Sequence, residues 1–178
     1  MNHPIERFFS FILLLWCYTI GFSSTGCSLN TVTDTTSARY YTELGSSLLD
    51  QEKYTEALEA YRKCYAVLQQ DSAANDSLFY FPFRQIGTIL LETGARSESV
   101  YYFERALDHG SRYFGAESPE VAMILNKLGN AHRYLGNFEL SQSFLEKSLA
   151  IRQQVLPPFH IDISKSYYGL GLYWKALH

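Results

Sequence analysis

The stretch Leu125-Asn126-Lys127-Leu128-Gly129-Asn130-Ala131-His132 decides the architecture, because its pattern recurs along the chain at one spacing. Gly129 has counterparts at Gly45, Gly87 and Gly171, so four glycines stand 42 residues apart without drift. Four residues before each glycine stand Tyr41, Phe83, Leu125 and Tyr167, and one residue before stand Leu44, Ile86, Leu128 and Leu170. Three residues after come Leu48, Leu90, His132 and Trp174. Side chains at these offsets fall on one face of a helix, and the glycine lets a second helix approach closely. A fixed period of this size marks a stacked repeat array.

A second helix follows in each complete period. Twelve residues after the glycine come Ala57, Ser99 and Ser141, all small. Sixteen after it come the bulky Tyr61, Phe103 and Leu145, and nineteen after it Cys64, Ala106 and Ser148, small again. Alternating small and large residues are what two closely crossed helices need to interdigitate. The pattern resembles the tetratricopeptide repeat, here Tyr41-x2-Leu44-Gly45-x2-Leu48 … Tyr54-x2-Ala57-x3-Tyr61-x2-Cys64. The long period is similar to the long-loop variant of kinesin light chains, most clearly over Ser118-Pro119-Glu120, Leu125 to Asn130 and Leu149-Ala150-Ile151. The resemblance covers residues 38–178 and implies an all-α, right-handed α-solenoid of antiparallel helix pairs: three repeats plus a final half-repeat helix. Arg96 and Ser99 depart from the family pattern, as do Pro82 and His132.

Local signals give the boundaries. Ser118-Pro119-Glu120 is a helix start, with a serine cap, proline in the first turn and an acid behind it. Asn137 after Gly136, and Ser97 after Gly94, are expected to cap the second helices of their repeats. Pro157-Pro158 stops a long helix and forces an extended connection. Seven helices are expected. The last, Tyr167 to Leu177, leaves little polar surface for a terminal cap; it reads as packing on the third repeat, as a docking surface, or as a self-association contact.

The N-terminus lies outside the repeat. Phe8 to Phe22 is nearly unbroken apolar sequence behind Arg7, too short for a comfortable membrane span but suited to a secretory signal. Ser23-Ser24-Thr25-Gly26-Cys27 then resembles a bacterial lipobox, although Ser24 stands where leucine is preferred and Glu6 weakens the positive leader. The expectation is a lipoprotein-type signal peptide over 1–26, a lipidated Cys27 heading a polar tether over 27–37, and a repeat domain over 38–178. Anchoring would face the periplasm from the outer membrane, since Ser28 is not the aspartate that retains such proteins in the inner one; simple secretion is the alternative. Cys17 leaves with the signal and Cys64 sits at a small core position, so no disulfide pair remains.

A net charge of −3 lacks the basic excess of a nucleic-acid protein. The five histidines have no ligand-like spacing, and no phosphate loop or nucleophile motif stands out, so neither metal, cofactor nor enzymatic site is expected. The resemblance to the tetratricopeptide family implies binding where first helices of successive repeats line a concave groove. Periodicity puts Arg84, Thr88, Asn126, Asn130 and Arg133 on that face, with Thr42, Ser46, Leu49, Leu91, Tyr168, Leu172 and Lys175 at equivalent offsets and Lys165 near it. Asn126 and Asn130, one turn apart, can offer amides to an extended backbone; Arg84, Arg133 and Lys165 suit an acidic segment. The aromatic run Phe79-Tyr80-Phe81 is expected in a loop, stapled to the helix pair. These readings combine into an exported, lipid-anchored adaptor that binds a protein or peptide segment during cell-envelope assembly. A self-associating structural subunit and a regulatory piece of a longer protein are the alternatives.

Overall fold

The computed structural model describes residues 29–71 and 74–178, so Cys27 and the expected signal peptide lie outside the described residues. The described residues form seven helices: α1 (Leu29–Asp50), α2 (Tyr54–Gln70), α3 (Asp76–Glu92), α4 (Arg96–Phe114), α5 (Pro119–Tyr134), α6 (Phe138–Val155) and α7 (Ile161–Leu177). Each packs on its neighbour in sequence from α2 onward, and α3 also meets α5 while α5 meets α7. Odd-numbered helices thus form one layer and even-numbered helices the other, an all-α solenoid.

The helix pairs close on the periodic glycines. A Cβ built on Gly45 would lie 2.7 Å from the Tyr61 ring, one on Gly87 2.8 Å from Phe103, and one on Gly129 2.6 Å from Leu145 Cγ. The bulky residue of each even helix therefore occupies the volume that a side chain would take. Its small flanking residues, four before and three after, are buried in all three pairs. Gly171 breaks the series: nothing lies within 4 Å of an added Cβ. No described helix follows α7 to lay a side chain there, so Gly171 is not a packing glycine in this structure. The close approach in α7 is made by Gly169 instead, 3.0 Å from Leu145 Cδ2 and 3.2 Å from Asn126 Nδ2.

Turns between paired helices obey the same period. Gly94 and Gly136 adopt φ of +91° and +78°, and the first repeat has Glu52 at the equivalent place with φ 59°. A non-glycine residue in that left-handed region bears a steric cost.

Four local expectations are corrected. The aromatic run does not lie in a loop, because α3 starts at Asp76 and Pro82 sits inside it. Asn75 provides that earlier start, its side chain accepting from Ser77 N at 3.1 Å. Phe79 stacks on His109 at 5.1 Å, and Tyr80 donates its hydroxyl to Glu120 O at 3.2 Å. Burial pushes the Tyr80 phenol up to about 12, so it stays a neutral donor. The tether is helical from Leu29 onward, not a coil. Ser97 does not cap α4, whose cap position is Ala95. Asn137 holds the cap position of α6 without a capping bond; its amide lies 3.3 Å from His132 Nδ1. Ser118 does cap α5, accepting from Val121 N at 3.3 Å.

The last helix is fastened by a buried arginine. Arg152, 3% exposed on α6, donates through Nη1 to Asp162 O and Ser166 Oγ, both at 2.8 Å. Burial lowers its pKa, with Asp162 opposing. Ser148 beside it donates to Ala122 O at 2.6 Å, so α5, α6 and α7 share one polar joint.

Candidate functional site

Three odd-numbered helices converge on a cavity of about 440 Å³. α5 contributes Asn126, Lys127, Asn130, Arg133 and Tyr134; α3 ends on it with Leu91 and Glu92; α7 closes it with Lys165, Tyr168 and Leu172. Arg96, the first residue of α4, completes the wall. Four of the six groove residues expected from the sequence are therefore brought together, Asn126, Asn130, Arg133 and Lys165, with Leu91, Tyr168 and Leu172 from the equivalent offsets.

The two asparagines are half satisfied. Asn130 Nδ2 donates to Asn126 O at 3.1 Å and lies 3.3 Å from Asn126 Oδ1. Asn126 Nδ2 and Asn130 Oδ1 remain buried without a hydrogen-bond partner. One unmet donor and one unmet acceptor, a helical turn apart, are shielded in the cavity wall; rotation of the two amides would turn them toward the C=O and N–H of an extended peptide. Leaving a buried polar atom unmet costs about 1–3 kcal/mol, so a ligand that meets both recovers part of that. Asparagine is also a mediocre helix former, and two on one stripe add a smaller cost of their own.

The wall is cationic. Arg96, Lys127, Arg133 and Lys165 line the cavity against one carboxylate, Glu92. The Arg133 and Arg96 guanidinium carbons lie 4.2 and 4.9 Å from the Tyr134 ring centroid, a cation–π arrangement that holds both without neutralising them. Arg133 Nε is buried and unpartnered. Lys165 donates to Asp162 Oδ1 at 2.7 Å. Burial holds the Lys127 ammonium below its ordinary pKa; Glu92 opposes this, and the positive charges of Arg84 and Lys165 add to the lowering. An arriving anion would relieve that penalty.

Arg84 and Thr88 do not line this cavity. The Arg84 guanidinium lies 4.9 Å from the Phe81 ring and 3.5 Å from Met123 Sδ, and Thr88 donates its hydroxyl back to Arg84 O at 2.9 Å. The first repeat is occupied in the same way: Thr42 donates to Ala38 O and Ser46 to Thr42 O. Beside Thr42 lies a second, apolar cleft of about 420 Å³ reaching Leu68, Leu78 and Phe81. Lys127 and Tyr134 were not singled out from the sequence, and Arg96 only as a departure from pattern.

Among the described residues no group of three or more His, Cys, Asp or Glu is placed to hold a metal, and no helix is long and apolar enough to cross a membrane.

Tetratricopeptide-repeat family models match residues 82–154 and 120–177, and a further one residues 38–67. The chain belongs to the tetratricopeptide-repeat family. Among solved structures it is similar to BtubC from P. vanneervenii, with a TM-score of 0.72 and 21% identity over 79% of this chain. It is also similar to a kinesin light chain from Podospora anserina with nearly identical TPR-like repeats (TM-score 0.68, 18% identity, 78% of this chain). The tetratricopeptide domain of a Plasmodium falciparum FK506-binding protein gives a TM-score of 0.64 at 16% identity over 84% of this chain. The chain spans 56% and 65% of the first two of these and 96% of the third. Comparison with the curated proteins finds no match. The fold of the repeats is similar to that of the kinesin-light-chain structure, and tetratricopeptide repeats generally bind protein partners.

Proposed function

We propose that this protein is an adaptor that holds an extended, acidic segment of a partner in the cavity between α3, α5 and α7. The unmet donor of Asn126 and acceptor of Asn130, set within a cationic wall, carry the reading. The amides would read one backbone unit, while Arg96, Lys127, Arg133 and Lys165 would select carboxylates beside it. Two extended peptides of matched length, one acid-rich and one with glutamines in place of the acids, test this by calorimetry against the full chain. The reading requires the acidic peptide to bind more tightly, to weaken with salt, and to lose affinity in the Asn126→Ala/Asn130→Ala variant. Equal binding of both peptides contradicts it.

Export and anchoring belong to the same proposal and rest on the sequence alone. Arg7, the apolar run Phe8 to Phe22 and the small residues before Cys27 support a lipoprotein-type signal, with the mature chain on the periplasmic side of an outer membrane and its adaptor role in envelope assembly. A single acylated residue with two or three chains suffices for stable anchoring. Mass spectrometry of the mature N-terminus decides it: diacylglycerol on Cys27 supports the anchor, and an unmodified N-terminus removes it.

A further inference from the structure

A separate crevice of about 430 Å³ opens between α4, α5 and α6. It has a filled counterpart one period earlier, between α2, α3 and α4. There Tyr65, Phe79, Phe83 and His109 close the space with rings: Tyr65 lies 4.8 Å from Phe83, and His109 stacks on Phe79 at 5.1 Å and on Phe83 at 5.4 Å. The Arg105 guanidinium carbon lies 5.6 Å from the Phe83 ring centroid. One period on, the same four positions are Leu107, Val121, Leu125 and Ile151, which line the open crevice, and Lys147 stands where Arg105 does. The aliphatic side chains at the tyrosine and phenylalanine positions are smaller, so the walls fall short of one another. The crevice lies between two complete helix pairs, and its opening is a matter of these side chains alone.

The chain also carries a ring with nothing around it. Phe159, between α6 and α7, is 100% exposed. Its counterparts one and two periods earlier, Glu117 and Asn75, are polar, and they are exposed although further helix pairs follow them. The fold thus leaves this position in solvent, and here it holds phenylalanine. The ring is held outward by a closed turn. Pro158 before it has a fixed φ, and His160 N donates to Pro157 O at 2.9 Å. His160 Nδ1 then accepts from Asp162 N at 3.2 Å, capping α7. Val155 and Ile161 beside the ring are also exposed.

We propose that two copies of this chain dimerise by exchanging Phe159, the ring of each entering the crevice between α4, α5 and α6 of the other. What the first crevice obtains from its own Phe79 and Phe83, the second obtains from its neighbour. Lys147 meets the incoming ring as Arg105 meets Phe83, in a cation–π contact. Even-numbered helices end, and odd-numbered helices begin, on one edge of the solenoid. Phe159 stands on that edge, as do Ala116 and Gln154 of the crevice wall. A knob and a hole on one edge suit reciprocal exchange about a two-fold axis, which closes at two copies. Each ring buries about 150–250 Å², and the walls it covers add a similar area, so the exchange falls in the range below about 1,200 Å² of weak, reversible complexes. The cavity with Asn126 and Asn130 is a separate site.

The test places p-benzoylphenylalanine at position 159 of the full chain, keeping a ring at the tip, and irradiates a mixture of isotope-labelled and unlabelled protein. Crosslinked peptides of mixed isotope should join position 159 of one chain to the surroundings of Leu107, Lys147 and Ile151 in another. Sedimentation equilibrium over a concentration series should show wild-type monomer and dimer, with the dissociation constant raised at least tenfold by Phe159→Ala. At concentrations where wild type is monomeric the melting curve should not move, because the exposed ring supports nothing in the fold. Val121→Phe gives the second crevice the ring that Phe79 gives the first, and it should weaken the dimer likewise in a chain that stays folded. The N-terminal apolar run is common to all variants, so differences among them read the loop and the crevice. Wild type that stays monomeric throughout the series, a dimer indifferent to Phe159→Ala, or crosslinks confined to other surfaces overturns the proposal. If Phe159→Ala reduces flotation with phosphatidylcholine vesicles and leaves association unchanged, the loop belongs to a lipid surface and the proposal is likewise overturned.

Discussion

Leucine placed at two glycines 42 residues apart should move stability in opposite directions. At Gly129 the first added carbon would lie 2.6 Å from Leu145 Cγ, 2.9 Å from Leu145 Cδ2 and 3.2 Å from Ser141 O, a backbone atom that cannot swing away. Overpacking of a well-filled joint costs about 1–3 kcal/mol. Replacing glycine by leucine inside a helix returns roughly 0.7 kcal/mol. Gly129→Leu should therefore lose about 0.3–2.3 kcal/mol net. At Gly171 no atom lies within 4 Å, so only the propensity gain acts and Gly171→Leu should be slightly more stable than wild type. For a domain of this size each kcal/mol is worth roughly 2–4 °C in melting temperature. Thermal melts followed by circular dichroism, with urea titrations of both variants at one protein concentration, give the comparison. Gly129→Leu melting at or above wild type, with Gly171→Leu below it, would refute the packing argument.

Further expectations follow from the same coordinates. Glu52→Gly relieves the left-handed strain at φ 59° and should raise stability by about 0.5–1 kcal/mol in urea unfolding, whereas Glu52→Ala should not. Arg152→Ala leaves Asp162 O without its donor and should cost about 1–3 kcal/mol, with amide exchange rising first in α7. Burial lowers the His132 pKa, with Glu104 opposing, so below about 6.5 the unfolded chain binds more protons than the fold and stability falls as pH falls through that window. His132→Phe keeps the ring stacked on Phe144, and its melting temperature should fall less than wild type between pH 7 and 5. A bound acidic segment raises the lowered pKa of Lys127, so binding takes up a proton and affinity should weaken as pH rises toward the ordinary lysine range near 10.4; Lys127→Met should flatten that alkaline slope in calorimetry.

The fold was legible because one spacing repeats: −4, −1, 0 and +3 around each glycine, and small–bulky–small in the next helix, need no tertiary information. Where the period met a missing neighbour it misled. Gly171 carries the sequence mark of Gly129 but has no partner helix, and the close contact falls on Gly169, which no period marks. The aromatic run reads as a loop from the sequence, yet the Asn75 cap begins α3 before it and the buried rings carry the helix through Pro82. Of the site, Asn126, Asn130 and Arg133 follow from helical spacing. Lys127 does not, because it lies one step off the inward stripe, yet it lines the cavity. Thr88 and Arg84 have the right spacing but are engaged by Arg84 O and by Phe81, contacts that spacing cannot reveal.

The most direct test of the groove is a crosslinked capture from membranes, comparing wild type with the Asn126→Ala/Asn130→Ala variant after both are shown to melt alike. Truncating both amides removes the unmet donor and acceptor, about 0.5–1.5 kcal/mol for each bond. The account predicts a protein with an acidic extended segment that wild type retains and the variant loses. An identical set captured by both would contradict it.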